Sequence, residues 1–289
     1  MINKEYGKSV KDRLLNLSRK EGIDYQQLVI RYFHERLVYR LSKSSYKEHF
    51  LLKGGVLLYV YNKLNSRPTV DIDFLGYDIN NDLEEITDAF KQICKISCEE
   101  DGVVFDSTGI SARSIMEGNQ YHGVRIRIMA FLDTIAQPIS IDVGFGDIVV
   151  PKPVHVEIPL ILNNMPVTKM AVYPLESVLS EKFHSIIVLG EDNSRMKDFF
   201  DIYYLLKNKQ IDMNILKKAL LATFEHRGLP KRNDFSLFSD TVSSNPTLNI
   251  RWNIFVKRIK WKSVLSFDEV VAHIQNEIKP IVHEYVKIK

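Results

Sequence analysis

Three regions with different hydrophobic patterns follow one another along the chain. Residues 8–45 have the apolar spacing of helices, and residues 48–170 mix short strand patterns with helical ones. Residues 174–289 are mainly helical. We therefore expect two domains, with residues 1–172 forming a helical extension plus a strand-rich domain and residues 173–289 forming a helical domain.

The middle region predicts an α+β fold built around an antiparallel or mixed sheet. A short apolar run at 50–52 precedes a helix, and a second helical pattern covers about 82–97. Short connections then join successive strand patterns, which favours neighbouring strands in one sheet. These strands are predicted at 103–105, 124–131, 139–145 and 156–162.

One predicted strand concentrates polar side chains on a single face. Side chains alternate along a strand, so Arg67, Thr69, Asp71 and Asp73 point one way and the apolar residues between them point the other way. The Cα atoms of Asp71 and Asp73 would lie roughly 6.5 Å apart. Two carboxylates this close repel unless a cation lies between them, and Mg²⁺ prefers such oxygen ligands together with substrate phosphates.

Two flanking segments bear on this interpretation. Lys53-Gly54-Gly55 separates a strand from a helix, an arrangement that lets a phosphate approach backbone N–H groups, although a simple tight turn has the same pattern. Asp142 faces away from the apolar residues of its own predicted strand. If that strand neighbours the first, Asp142 completes a three-carboxylate site; otherwise it is a solvated residue on an open sheet face.

A lysine and two acids occupy apolar helical patterns further along. Lys182 lies within the apolar stripe of a helix over 175–187, and Asp198 and Asp201 lie on a helix that is apolar on nearly all sides. Buried charges are normally paired, so an internal salt-bridge network that joins the two lobes is one interpretation. The other is that the acids orient Lys182 or bind a nucleotide.

The order and spacing of these blocks resemble a known family. The chain is similar, over about residues 45–210, to the polymerase-β-type nucleotidyltransferases and, among them, to the AbiEii/AbiGii toxins of type IV toxin–antitoxin and abortive-infection systems. The blocks that carry the resemblance are Gly54-Gly55, Arg67-x-Thr69-x-Asp71-x-Asp73, Ile141-Asp142-Val143, Pro174-Leu175-Glu176-x-x-Leu179-x-Glu181-Lys182-Phe183 and Arg195-x-Lys197-Asp198-x-x-Asp201-Ile202-Tyr203. One departure is that Gly55-Val56 lacks the hydroxyl that many nucleotidyltransferases have after the first glycine.

The resemblance implies a polymerase-β-like mixed sheet flanked by helices, with a helical C-terminal lobe. It implies nucleotide transfer from an NTP to RNA, especially the 3′ end of tRNA, which blocks translation, and an antitoxin encoded nearby. Two Mg²⁺ (or Mn²⁺) ions would be held by Asp71, Asp73 and Asp142, and Lys182 and Asp198 would join Asp71 and Asp73 as catalytic residues. The implied nucleotide-binding residues are Lys53, Gly54, Gly55, Arg67, Thr69 and Asp201.

Composition is consistent with a cytoplasmic enzyme. The 289 residues carry a net charge of +3, with 45% hydrophobic and 26% charged residues. No signal-peptide or membrane-spanning pattern is visible, and the two cysteines give no disulfide framework. Arg113, His122, Arg125 and Arg127 form a possible basic face for RNA. Two alternative functions remain. One is nucleotidylation or phosphorylation of a protein or small molecule, and the other is that of a non-catalytic binding module.

Overall fold

The computed structural model describes residues 4–117, 120–228, 240–261 and 263–288. Backbone contacts divide the chain into two compact units. Unit 1 comprises Met1–Gly146 and Pro153–Tyr173, and unit 2 comprises Asp147–Lys152 and Pro174–Lys289. Separate folding of two domains, with the boundary expected between residues 172 and 173, stays a prediction.

Unit 1 is built on a mixed sheet. Its eight strands, counted over the described residues, are β1 (Phe50–Lys53), β2 (Asp71–Gly76), β3 (Val103–Phe105), β4 (Ser111–Glu117), β5 (Gln120–Leu132), β6 (Ile135–Phe145), β7 (Val154–Ile158) and β8 (Thr168–Val172). The order is β3-β5-β6-β2-β1-β8-β7, with β4 also paired to β5. The β2–β6 and β1–β8 pairs are parallel and the other pairs are antiparallel. The predicted α+β class with a mixed sheet is confirmed; β4 and β8 were not among the predicted strands.

In the described part of unit 1, four α-helices accompany this sheet. They are α1 (Lys4–Glu21), α2 (Tyr25–Lys43), α3 (Gly54–Asn62) and α4 (Leu83–Lys95). Each of α2 and α4 begins after an aspartate whose side chain accepts a backbone N–H three residues on, Asp24 from Gln27 and Asp82 from Glu85. One face of the sheet is apolar and buried, as Ile126 on β5 and its partner Ile141 on β6 illustrate.

Helix α2 buries charged groups as well as apolar ones, so the expected amphipathic pattern describes it incompletely. The Arg40 guanidinium binds both carboxylate oxygens of Asp101, at 2.7 and 3.2 Å, and also donates to the Val103 carbonyl. Glu35 and Arg36 form a 2.6 Å ion pair, and both side chains are almost fully buried. The Arg40–Asp101 pair ties α2 to the segment before β3, and both pairs neutralise charges that the core would otherwise exclude.

Unit 2 is helical over its described residues. Its helices are α5 (Leu175–Leu189), α6 (Met196–Asn208), α7 (Met213–Arg227), α8 (Asp240–Ser244), α9 (Pro246–Arg258) and α10 (Phe267–Ile288). Pro174 is the N-cap of α5. The Ser266-x-x-Glu269 pattern is typical of a helix start, and the Ser266 hydroxyl accepts the Glu269 N–H at 3.1 Å. Residues 227–246 have the turn-rich composition of a loop; α8 occupies 240–244, and residues 229–239 lie outside the described residues.

Candidate active site

The two closely spaced aspartates open β2. Asp71 and Asp73 are half-buried on one face of the sheet, while Ile72 and Phe74 are buried on the other. The predicted strand was too long at its start, because β2 begins only at Asp71. Pro68 has no N–H to donate to a ladder, so the preceding segment cannot continue the pairing.

Hydrogen-bonded registers align Asp73 with charged residues on both neighbouring strands. Lys53 on β1 is its antiparallel partner, and Asp142 on β6 is its parallel partner. Partners in register point to the same face of a sheet. Asp142 therefore lies beside Asp73 on the face that also carries Asp71. Lys53 extends its ammonium over the Tyr173 ring, 4.9 Å from the ring centroid.

Asp142 is held by an arginine of the next strand. Arg125 on β5 donates from Nε and Nη2 to the two Asp142 oxygens, at 2.7 and 2.6 Å. The pKa of Arg125 is raised, first by this hydrogen bonding, and the charges of Asp71 and Asp73 raise it further. The electrostatic influence of all three carboxylates therefore converges on one guanidinium.

Gly54 and Gly55 bring the start of α3 against the same residues. Gly54 has φ +66°, and a Cβ there would overlap the Asp73 carboxylate, at 2.5 Å from Cγ. A Cβ on Gly55 would come within 2.5 Å of Thr69 Oγ1. The glycines thus place the helix N-terminus, with its backbone N–H groups, directly at Asp73.

Arg67 and Thr69 lie in the segment that leads into β2, not on the strand as predicted. The Thr69 hydroxyl is 3.3 Å from the Asp71 carbonyl, and Arg67 Nη1 is 3.3 Å from the Pro68 carbonyl. Thr69 comes close to the start of α3 through its contact with Gly55 and not through strand alternation.

Polar side chains of α2 contact the segment that precedes β2. A small cavity bordered by Gly55 and Thr69 is also lined by Arg31 and His34. Arg31 is buried and donates at 2.6 Å to the Ser66 carbonyl, and burial lowers its pKa. Helix α2 thereby fixes the backbone that carries Arg67 and Thr69 into the site.

The carboxylates of Asp71 and Asp73 suit a hard cation. They provide oxygen donors next to a helix N-terminus, the combination that Mg²⁺ uses when it binds one or two carboxylates together with phosphates. Asp142 presents its oxygens to Arg125. Within the described ranges, no three His, Cys, Asp or Glu side chains are grouped so that they could hold a metal ion.

In unit 2, Lys182 joins two buried acids. Its ammonium lies 2.7 Å from Asp198 Oδ1 and 2.8 Å from Asp201 Oδ2, and Arg195 Nε is 3.2 Å from Asp198. The carboxylates are 3% and 1% exposed, against 13% for the lysine, so the three charges satisfy one another away from water. The pairing expected of a lysine in an apolar stripe is present. The expectation that such a network joins two lobes is wrong for these pairs, because α5 and α6 both belong to unit 2.

Sequence reasoning assigned Arg125 only to a basic face and missed its bond to Asp142. A signal for that bond exists in the sequence. Asp133 and Thr134 form the two-residue turn between β5 and β6, because Leu132 pairs with Ile135. Such a turn fixes the register of the whole hairpin, and counting outward from it brings Arg125 opposite Asp142.

Comparison with known proteins gives one family and a set of similar folds. A family model described as the nucleotidyl transferase AbiEii toxin of type IV toxin–antitoxin systems matches residues 36–273. A crystal structure of JHP933 from Helicobacter pylori has a TM-score of 0.53 at 13% identity, covering 91% of this chain and 95% of that one. A candidate nucleotidyltransferase from H. pylori has a TM-score of 0.51 at 15% identity, covering 92% and 99%. At these identities the likeness shows a shared fold.

No curated protein matches the chain. Over the residues that the structure describes, no helix is long and apolar enough to cross a membrane. The family match extends across most of the chain, including the row of Asp73 and Asp142 and the pairing of Lys182 with Asp198. The chain belongs to the AbiEii family of nucleotidyltransferase toxins of type IV toxin–antitoxin systems.

Proposed function

We propose that this nucleotidyltransferase transfers a nucleotide from an NTP to the 3′ hydroxyl of an RNA, with the 3′ end of tRNA as its acceptor. The observation that carries the proposal is the register pairing of Asp73 with Asp142 on parallel neighbouring strands, beside a helix N-terminus. This arrangement combines acidic oxygen donors with a phosphate-binding element, which is what phosphoryl chemistry requires.

The triphosphate is proposed to bind at the start of α3. Backbone N–H groups and the helix dipole favour negative charge there, and the lack of a Cβ at Gly54 and Gly55 lets Asp73 and Thr69 pack against the start of the helix. Lys53 and Arg67 supply positive charge, and Thr69 supplies the hydroxyl that Gly55 and Val56 lack. Thr69 Oγ1 lies next to Gly55, which supports a role for the Thr69 hydroxyl in place of the hydroxyl that other nucleotidyltransferases have at this point.

We propose that Mg²⁺ or Mn²⁺ binds to the carboxylates of Asp71, Asp73 and Asp142. A bound divalent ion lowers the pKa of the attacking hydroxyl and neutralises charge on the leaving pyrophosphate. Asp71, Asp73 and Asp142 would hold the ion, and the two hydrogen bonds from Arg125 orient the Asp142 carboxylate. The 3′ oxygen bonds to the α-phosphorus and its proton is released. The bond from the α-phosphorus to the bridging oxygen breaks, and pyrophosphate leaves with the electron pair.

Lys182 and Asp198 are proposed as catalytic residues, and Asp201 as a nucleotide-binding one, on the family resemblance. The ion pairs of Lys182 support this proposal in one respect. Asp198 and Asp201 pair with the Lys182 ammonium in a buried setting and fix its position, and a lysine ammonium is a group that binds phosphate.

Membership of the family implies an NTP substrate and a cognate antitoxin. We further propose that modification of tRNA 3′ ends blocks translation in the cytoplasm, because a tRNA with an altered 3′ end cannot be aminoacylated normally. Growth arrest on expression, relieved by the product of a neighbouring gene, is the phenotype that this proposal requires.

Sequencing of RNA 3′ ends tests the proposal. Total RNA is sequenced after brief expression of the wild type and of Asp73→Asn, with Asp12→Asn, an exposed aspartate on α1, as the matched control. The expected result is added nucleotides on tRNA 3′ ends with the wild type and Asp12→Asn, and none with Asp73→Asn. If the RNA is unmodified and a parallel incubation with labelled NTP labels protein or small molecules, the acceptor belongs to one of those classes and not to RNA.

A further inference from the structure

The sheet face that carries Asp73 extends past Asp142 onto two more strands. Arg125 on β5 is the register partner of Asp142, and Arg113 on β4 is the register partner of Arg125. Arg127 follows two residues after Arg125 and therefore points to the same face. Arg125 and Arg113 thus continue the row of Asp73 and Asp142, and Arg127 lies in the neighbouring row, which runs from Asp71 through Ser140.

These arginines differ in what they contact. Arg125 donates hydrogen bonds to both carboxylate oxygens of Asp142. Arg113 and Arg127 are exposed, and neither side chain forms a hydrogen bond or an ion pair with another described residue. We call Arg113 and Arg127 the arginine strip.

The arginine strip has no evident structural role. Arg113 lies directly opposite Arg125, and like charges in that position weaken a strand pair. The other face of β5 already supplies the packing, because Val124, Ile126 and Ile128 are fully buried there. Two solvent-facing guanidinium groups beside a nucleotidyl-transfer site are therefore available to a ligand.

The spacing of the strands sets the reach of the strip. Neighbouring strands lie about 4.8 Å apart, so β5 is about 10 Å and β4 about 15 Å from β2. An acceptor whose 3′ end lies at Asp73 would pass over Arg127 and Arg113 with the nucleotides that precede that end. Guanidinium groups match phosphate oxygens in a bidentate geometry, and each contact offsets one backbone charge.

We propose that Arg113 and Arg127 dock the single-stranded end of the RNA acceptor by binding its backbone phosphates. This inference rests on the proposed RNA acceptor and adds the surface that holds it. Because the contacts are to phosphates, binding through the strip is independent of base sequence and weakens as salt concentration rises.

The test measures RNA binding separately from nucleotide transfer. Fluorescence anisotropy follows a labelled single-stranded RNA of about 12 nucleotides on the full chain without NTP, over a range of salt concentrations. The Arg113→Ala/Arg127→Ala variant is expected to bind about tenfold more weakly. Its slope of log affinity against log salt should be smaller by about 1.4, since each phosphate contact to a single strand contributes about 0.7. In steady-state transfer assays KM for RNA should rise while KM for NTP stays unchanged.

The matched control removes two exposed basic residues from α1, as Arg19→Ala/Lys20→Ala. It should keep the affinity and the salt slope of the wild type. If the Arg113→Ala/Arg127→Ala variant and this control bind RNA equally well, the arginine strip does not dock RNA, and the proposed transfer to RNA is unaffected. Competition by poly-glutamate as strong as by unlabelled RNA would overturn it in favour of an acidic protein. A wild type that neither binds nor labels RNA would overturn both this inference and the proposed acceptor.

Discussion

The Arg125 guanidinium binds both carboxylate oxygens of Asp142, through Nε at 2.7 Å and Nη2 at 2.6 Å. This fork fixes the plane of a carboxylate that lies in register with Asp73. It makes Arg125 a positioning residue that acts through Asp142.

Replacing Arg125 by lysine keeps the charge and removes the fork. We expect Arg125→Lys to lower the rate of nucleotide transfer by about 10- to 100-fold, the usual effect of disturbing a residue that orients a metal-site ligand. A double-mutant cycle with Asp142→Asn supplies the control. If Arg125 acts through Asp142, the double variant is no slower than Asp142→Asn alone. Fully additive losses would show that Arg125 acts independently.

Gly54 offers a test of the contact between α3 and Asp73. Gly54→Ala places a Cβ in the space of the Asp73 carboxylate and forces a left-handed residue, while Gly22→Ala has a similar φ of +65° and open space around it. Both should lose about 1–2 kcal/mol in free energy of unfolding from the backbone. Only Gly54→Ala should also lose transfer, by roughly 100-fold, because Asp73 is displaced. Equal activity of the two variants, measured with labelled NTP, would contradict the contact.

Lys182 can be separated into a structural and a catalytic part. Lys182→Met leaves two buried carboxylates without their shared partner, and we expect the free energy of unfolding to fall by about 3–5 kcal/mol. Adding Asp198→Asn and Asp201→Asn removes the uncompensated charges and should restore much of that loss. If Lys182, Asp198 or Asp201 takes part in transfer, the restored triple variant stays inactive in the label assay. Recovery of transfer together with stability would assign Lys182 a structural role.

Glu35 predicts a pH dependence of stability. Burial raises its pKa from 4.5 to about 7 in the folded protein, against the opposing effect of Arg36. The folded state therefore holds a proton that the unfolded state has released between about pH 4.5 and 7, so the contribution is favourable below this window and is lost as pH rises through it. Chemical denaturation should show a loss of up to about 3 kcal/mol across the window.

The comparison for Glu35 is the difference between the wild type and Glu35→Gln. This comparison is needed because His34 has the opposite effect. Burial lowers the pKa of His34 to about 3, so its contribution to the free energy of unfolding rises with pH between about 3 and 6.5. Subtracting the curve of Glu35→Gln removes that opposite slope. A flat difference curve would show that Glu35 titrates normally in the folded protein.

The sequence supports the local parts of the fold more than the pairing of distant strands. The caps at Asp24 and Ser266 follow from short-range side-chain chemistry. The β5–β6 hairpin is equally local, since one turn sets its register. By contrast, Asp73 and Asp142 belong to parallel strands far apart in the chain, and no periodicity determines that register.

Some features have no local signal at all. Arg40 reads as a solvent-exposed residue of a helix, because its partner Asp101 comes 61 positions later. Strand β4 carries polar residues on both faces, Arg113 on one and Ser114 on the other, so its alternation is weak and the sequence does not predict it. The candidate site residues are predicted from chemistry and family resemblance, while the bond between Arg125 and Asp142 is seen only in the three-dimensional register.

The central claim is that Asp73, aligned with Asp142, is needed for nucleotide transfer to RNA. The most direct measurement incubates purified protein with labelled NTP, Mg²⁺ and tRNA, and compares Asp73→Asn with the wild type and Asp12→Asn after thermal unfolding has shown that all three are folded. The account predicts label on the tRNA 3′ end with the wild type and Asp12→Asn, and a loss of at least about 1000-fold with folded Asp73→Asn. Transfer by Asp73→Asn at the wild-type rate would contradict it.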